Sequence, residues 1–363
     1  MPSSGGSEGT GNTMPSPYRV LAVCGPTASG KSALGVSLAQ RLSGEVLNVD
    51  SVQVYQHLDI GSAKLSEAEK GGVAHHLLDI FEPGKAANVA QFRAHALHAL
   101  EDVTRRGKVP ILVGGSGLYL TVLLHGLAEV PPTSEDVRRA VSTLSPEEQY
   151  AELLNGDPET AARLNRNDTQ RVSRAVEILR MTGQKPSDLL EAHRFAERDA
   201  VALTVVLCRP RDELYRRIDE RSALMVRSGL VDETRSIIER FGDVPPLNTL
   251  GYAQARDLLR GTLPASDLER EIALHTRRFA KRQMTYWRNE PLKRGWIVRP
   301  AEDEAAEEVG GFESFPARAQ KRMKGFRAFR YSEDELTEAL RARLALPMEQ
   351  SEVWFVWMRE RSS

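Results

Sequence analysis

The patterned part of the chain begins with "YRVLAVCG" (18–25), a run of apolar and β-branched residues without polar alternation that ends in glycine. Such a run predicts a strand buried on both faces. "KSALGVSLAQRLSG" (31–44) follows with apolar residues three and four apart and a glycine stop, and predicts a helix. "EVLNVD", ending at Asp50, predicts a second strand. A third, "KVPILVGG", comes after the helical pattern "ANVAQFRAHALHALEDVTRRG". "ALTVVLCRP" (202–210) predicts a fourth strand and "GWIVRP" a fifth, with a further helical stretch from Asp212 to Phe241. Alternating strands and helices predict an α/β fold: a mostly parallel sheet flanked by helices.

Between the third and fourth strands the period changes. "EEQYAELL" and "TQRVSRAVEILRMTG" are helical, and no strand pattern interrupts them, so residues 131–200 are predicted to form an all-helical insertion domain. The core is then built from 18–130 and 201–300, preceded by a flexible tail at 1–17. Residues 301–363 follow as an acidic linker, "AEDEAAEEVGG", and a C-terminal extension of no assigned role. Within that extension "ARAQKRMKGFRAFRY" reads as a solvated, partly disordered stretch. "SEDELTEALRARL" reads as a capped helix, and "VWFVWM" as an apolar patch that docks elsewhere.

Composition narrows the class. A chain of 363 residues with a net charge of −1 has no global field to draw nucleic acid, so any such contact needs a local basic surface. Cys24 and Cys208 stand alone in sequence, which argues against a disulfide framework or a cysteine-built zinc site. His75 and His76 are adjacent, point different ways and lack a spaced third ligand, so they read as structural. No apolar run reaches the length of a membrane span, and "MPSSGGSEGTGNTMPSP" lacks a signal peptide's apolar core. A cytoplasmic protein is expected.

The candidate chemistry sits between the first strand and the first helix. "GPTASGKS" (25–32) is G-x-x-x-x-G-K-[ST], a phosphate-cradling loop in its confirming strand–loop–helix context, which makes the sheet P-loop NTPase-like. Gly25 and Gly30 let the main chain aim N–H groups inward. The helix start adds its positive end, Lys31 adds a charge, and the Ser32 hydroxyl is a ligand for Mg²⁺. The third strand, however, ends "ILVGGSGLY" with no carboxylate to help hold a metal. The nearest strand-end acid is Asp50, which the residues alone allow either to hold Mg²⁺, as in a small-molecule kinase, or to act as a base on a second substrate.

Beyond the loop, an ordered series covers residues 18 to 300: "NVDSVQVYQHLDIGSAK", "HHLLDI", "VPILVGGSGLYL", "RNDTQRVSRAVEILRMTG", "LGYAQA" and "HTRRFAKRQMTYWRN". This series resembles the tRNA dimethylallyltransferases, also called tRNA isopentenyltransferases. The resemblance implies transfer of a dimethylallyl group from dimethylallyl diphosphate to the N6 amine of the adenosine 3′-adjacent to the anticodon. It implies that the loop residues Gly25, Pro26, Thr27, Ala28, Ser29, Gly30, Lys31 and Ser32 hold the donor diphosphate, with Mg²⁺ at Ser32. It further implies catalytic roles for Asp50 as general base, for Thr27 beside the reacting bond and for Arg221 on the diphosphate. The tRNA contacts it implies are Asp50, Ser51, Val52, Gln53, Ser116, Arg138, Gln170, Arg171, Val172, Ser173, Arg174, Gly251, Tyr252, Arg278, Lys281 and Arg282. A monomer is the expected state.

In "TRRFAKRQMTYWR" arginine and lysine interleave with Phe279, Tyr286 and Trp287, a composition suited to RNA that also describes an amphipathic helix with its aromatics turned inward; "QRVSR" sets Gln170, Arg171 and Arg174 within about one helical turn, as an ordinary helix face also would. Three rivals share parts of this pattern. A small-molecule kinase would leave the insertion and the basic helix without a role. An adenylate isopentenyltransferase acting on free AMP, ADP or ATP would need no anticodon grip. An RNA-binding module with a vestigial loop would not need Gly25, Gly30, Lys31, Ser32 and Asp50 intact.

Overall fold

The computed structural model describes residues 17–85, 87–127, 130, 133–193, 199–293, 297–298, 307–308, 327–348 and 350–358. Strands β1 (Tyr18–Cys24), β2 (Gly44–Asn48), β3 (His75–His76), β4 (Val109–Gly114) and β5 (Ala200–Cys208) pair in the order β3-β2-β4-β1-β5, all parallel. Beyond β5 the sheet continues through β9 (Glu352–Met358), β8 (Arg327–Tyr331) and β7 (Glu307–Glu308), the last antiparallel. β6 (Ile297–Val298) shares the outer edge of β9 with β8. The parallel α/β architecture is therefore as the periodicity predicts.

Alternation along β1 shows why its sequence is apolar throughout. Val20, Ala22 and Cys24 join the core on one face of the sheet, with Phe92, Leu100, Leu120 and Trp287. Leu21 and Val23 join the core on the other face, with Leu34, Leu38 and Ile111. A strand covered on both sides has no polar position to spare. β5 is likewise buried at every residue. Both cysteines are free and buried here, and burial pushes the Cys208 thiol up to about 12.

The extension departs from its sequence reading. "VWFVWM" is part of β9, a strand of the main sheet lying directly against β5. Val353 and Phe355 enter one core and Trp354 and Val356 the other. Tyr331 to Arg327, read as part of a partly disordered stretch, form β8 beside it; the remainder of "ARAQKRMKGFRAFRY" lies outside the described residues. The helix Glu333–Ala345 is capped by Ser332 and Glu335 in a reciprocal box, and its Leu336 and Leu340 are fully buried against the sheet. The tail at 1–16 and most of the acidic linker also lie outside the described residues.

Residues His125–Arg198 form a second compact unit. Its helices Glu135–Ser142, Pro146–Gly156, Pro158–Arg163, Thr169–Thr182 and Pro186–His193 enclose a separate core of Val141, Leu153, Ala161, Val172, Ala175 and Val176. Inside it Asp157 is fully buried and takes hydrogen bonds from Thr160 and Ser187, tying two helix starts together. Among the described residues no helix is long and apolar enough to cross a membrane.

Candidate active site

The order of strands reverses around β1, because β4 lies between β1 and β2. Ligand crevices of parallel sheets form at such a point, outside the carboxyl ends of the strands. The loop after β1, Asp50 after β2 and Gly115–Ser116 after β4 all lie at that end.

The loop's turns use left-handed backbone at Gly25 (φ 144°), Ala28 (φ 62°) and Gly30 (φ 95°). A Cβ on Gly25 would stand 2.7 Å from the Leu207 carbonyl oxygen, so the loop packs on β5 only with glycine there. Gly25, Pro26 and Ser29 are buried and border none of the cavities at this edge, so their part is played by the main chain. The Ser29 hydroxyl is enclosed without a protein partner among the described residues. Lys31 and Ser32 open the helix Lys31–Leu42 and line a cavity.

Arginines from after β5 grip the loop from one side. Arg209 Nε donates to the Ser29 carbonyl (2.5 Å), Arg217 Nε to the Ala28 carbonyl (2.8 Å) and Arg221 Nη1 to the Thr27 hydroxyl (3.2 Å). Arg217 and Arg221 are four residues apart on the helix Arg211–Arg227 and so share a face. From the other side comes Gln283, on the helix Leu268–Lys293. Its carbonyl accepts the Thr27 N–H (2.8 Å) and its amide donates to the Gly115 carbonyl (3.1 Å). A Cβ on Gly115 would lie 2.3 Å from that amide nitrogen and would push the Gln283 side chain out of this position.

Asp50 follows the end of β2 by two residues. Its Oδ1 accepts the main-chain N–H groups of Val52 (2.9 Å) and Gln53 (3.4 Å), and Oδ2 has no protein partner among the described residues. The Gln53 side chain is held in turn by the carbonyls of Ser62 (3.0 Å) and Ala63 (3.4 Å). Charge is concentrated here: burial lowers Lys31 to about 8, Asp50 pulls it back up and Arg221 presses it further down. Burial also lowers Arg221, again opposed by Asp50.

A second, larger cavity adjoins the first. Thr27, Asp50, Arg221 and Phe279 border both. The first cavity extends to Lys31, Ser32 and Gln53; the second extends to Ser51, Val52, Gly251 and Arg282. A carboxylate thus stands between a phosphate cradle and a separate, larger space. The Ser32 hydroxyl and the Asp50 carboxylate line the same cavity and are hard oxygen donors of the kind Mg²⁺ takes, so these residues fit that ion. His75 and His76 are occupied by the Val73 carbonyl (2.9 Å) and Glu45 (2.7 Å).

Several of the residues expected to touch tRNA have side chains engaged within the protein. Tyr252 is fully buried; its hydroxyl donates to Glu233 (2.5 Å) and its ring lies where a Gly61 side chain would be. Neighbouring Gly251 does border the second cavity. Val172 is 1% exposed inside the core of the helical unit and cannot meet RNA with its side chain. Arg174 binds Thr133 and Glu177 within that unit, with Ser173 partly buried beside it, whereas Arg138, Gln170 and Arg171 are exposed. In the basic helix Trp287 is buried and the Tyr286 hydroxyl meets Thr121 and Gly117, while Arg278, Lys281 and Arg282 are exposed. Ser116 is partly buried and caps the start of the next helix with its carbonyl.

Residues not singled out from sequence also shape the site. Glu233, on the helix Leu230–Phe241, accepts the N–H groups of Asp59 (3.1 Å), Ile60 (2.9 Å) and Gly61 (3.3 Å) as well as the Tyr252 hydroxyl. It fixes the loop whose carbonyls hold Gln53. Glu233, Arg209, Arg217 and Gln283 act on main-chain atoms of distant loops, and only the four-residue spacing of Arg217 and Arg221 gave a trace of this in the sequence.

A family model described as IPP transferase matches residues 53–290. The tRNA dimethylallyltransferase of Anaeromyxobacter dehalogenans is 44% identical over 294 residues, covering 79% of this chain and 97% of the relative. That of Myxococcus xanthus is 40% identical over 294 residues, covering 80% and 94%. The crystal structure of the tRNA isopentenylpyrophosphate transferase of Bacillus halodurans is 35% identical, covers 75% of this chain and 87% of its own, and superposes with a TM-score of 0.54. A eukaryotic dimethylallyltransferase acting on tRNA, 24% identical, shares the fold with a TM-score of 0.70 over 93% of this chain and 82% of its own.

Proposed function

The chain belongs to the IPP transferase family, and on that premise we propose that it transfers a dimethylallyl group from dimethylallyl diphosphate to N6 of the adenosine 3′-adjacent to the anticodon in tRNA, releasing diphosphate. One observation carries the reading: Thr27, Asp50 and Arg221 stand at the boundary of two cavities, one reaching the phosphate loop at Lys31 and Ser32 and one reaching the exposed Arg282. A donor and an acceptor entering from opposite sides would meet there.

The chemistry follows from the placement. The donor's diphosphate lies on the loop amides and Lys31, with its allylic carbon toward Thr27 and Asp50. As the C1–O bond breaks, negative charge grows on the departing diphosphate, and fixed donors there stabilise the transition state more than the ground state. Arg221 and Lys31 are held for this purpose by burial that makes their charge less screened. Mg²⁺, held through the Ser32 hydroxyl, would supply further charge stabilisation to the departing diphosphate.

The acceptor N6 is a weak nucleophile because its lone pair is delocalised into the ring. Its proton becomes acidic only as the C–N bond forms, and the open Oδ2 of Asp50 is the group to receive it. The adenosine must leave the anticodon stack to reach this point, which takes a few kcal/mol that phosphate contacts offset. Arg278, Lys281 and Arg282 on the long helix, and Arg138, Gln170 and Arg171 on the helical unit, are exposed cations and donors suited to those contacts. A cytoplasmic monomer fits this role.

The test is a transfer assay. The full chain, Mg²⁺ and labelled dimethylallyl diphosphate are mixed with unmodified tRNA or with AMP. Label should enter tRNA at that adenosine. Label entering AMP alone would identify an adenylate isopentenyltransferase instead, and phosphorylation from ATP without prenyl transfer would identify a kinase.

A further inference from the structure

Phe279 is the one large apolar ring among the residues that border both cavities, the others being Thr27, Asp50, Ser62 and Arg221. It projects from the helix Leu268–Lys293 and is partly buried, unlike Trp287 on the same helix, which belongs wholly to the core. The sequence placed Phe279 in a segment suited either to RNA or to an inward-facing helix side; its place is at the junction where the allylic carbon must change partners. On its acceptor side Arg282, three residues on, sets its guanidinium 5.6 Å from the ring centroid. That charge is exposed, and the ring itself borders the donor cavity as well.

We propose that the Phe279 ring is the wall against which the dimethylallyl group lies, and that it decides whether the allylic carbon is taken by N6 or by water. The inference rests on the prenyl transfer proposed above. In transfer the C1–O bond breaks, a C1–N6 bond forms, the N6 proton passes to Asp50 and diphosphate leaves. In the competing loss a water oxygen attacks C1, its proton goes to the same carboxylate, and the products are dimethylallyl alcohol and diphosphate. Positive charge spreads over the allyl carbons as the old bond lengthens. An aromatic face stabilises that charge without offering a nucleophile, and its bulk keeps water from the carbon.

The readout is a partition ratio, which a purely structural role would not move. Full-length enzyme with Phe279→Ala or Phe279→Leu is given C1-labelled dimethylallyl diphosphate and an unmodified anticodon stem-loop, and labelled RNA and labelled alcohol are both counted. Losing the ring should slow transfer roughly threefold to thirtyfold. The alcohol-to-RNA ratio should rise severalfold, more for alanine than for leucine. Leucine keeps the apolar volume and decides the matter should the alanine variant not fold. A wild-type ratio in the folded variants overturns the inference. Failure of the unsubstituted enzyme to label RNA would instead overturn the prenyl-transfer reading itself.

Discussion

The side-chain carbonyl of Gln283 accepts the main-chain N–H of Thr27 at 2.8 Å, across 256 residues of sequence. The same amide reaches the Gly115 carbonyl at 3.1 Å. One buried glutamine therefore joins the loop after β1 to the loop after β4, from the helix that carries Arg278, Lys281 and Arg282. Thr27 is thereby held at its N–H by Gln283 and at its hydroxyl by Arg221.

Gln283→Ala should therefore lower kcat/KM for the donor about tenfold to a hundredfold, since it leaves a buried N–H and a buried carbonyl unpaired. Gln283→Glu keeps the acceptor for Thr27 but sets an oxygen against the Gly115 carbonyl, and should fall between. Steady-state kinetics with donor varied decide this; equal activity of all three proteins would remove Gln283 from the site's support.

Lys31 gives a pH signature. Its ammonium is held near 8 by burial, so in the free enzyme it is charged below that pH and neutral above it. The neutral amine binds diphosphate poorly. A plot of kcat/KM for the donor should be level with respect to this group below about pH 8 and fall by up to about tenfold per unit above it. Lys31→Arg should carry the fall to higher pH. A profile level to pH 10 would place the lysine elsewhere in the reaction.

Much of this site was legible in the sequence and some was not, for physical reasons. Gly25, Gly30, Lys31, Ser32 and Asp50 are brought to the crevice by the strands they directly follow, and local spacing shows that placement. Gln283, Arg209, Arg217 and Glu233 act on the main chain of remote loops, and no local pattern records which carbonyl or N–H they will meet. The same contrast holds for the fold. β1, β2, β4 and β5 announce themselves by apolar runs between helices. β9 has an apolar run too, but its partner β5 ends 144 residues earlier, and a short buried run has no period that says strand rather than patch. β3 is only His75–His76 and was invisible for its brevity.

Glu233 pins three consecutive N–H groups and a tyrosine hydroxyl with one carboxylate. Glu233→Gln would turn an amide N–H₂ toward donors it cannot accept from. A loss of about 1–3 kcal/mol in stability is expected, together with a higher KM for tRNA, because the loop it fixes supports Gln53. Thermal unfolding and tRNA-varied kinetics measure the two effects; a variant with unchanged melting and unchanged KM would contradict the role.

The strand at the chain's far end should matter to the whole sheet. Trp354 is 1% exposed and packs among Leu203, Val205 and Leu336 in the core on that face. Trp354→Ala should destabilise the protein by about 3–5 kcal/mol, the usual range for removing a large buried side chain. Chemical denaturation followed by tryptophan-independent circular dichroism checks it. A change below about 1 kcal/mol would mean that β9 is not integral to the core.

If the phosphate loop holds a leaving group, attack falls on carbon rather than on phosphorus. Dimethylallyl diphosphate with ¹⁸O at the oxygen bridging C1 and phosphorus, turned over with unmodified tRNA, measures this directly. The account predicts all of the ¹⁸O in the released diphosphate and the dimethylallyl group on N6 of the adenosine. Label retained on the dimethylallyl fragment, or on a phosphorylated acceptor with no prenylated RNA, would contradict it.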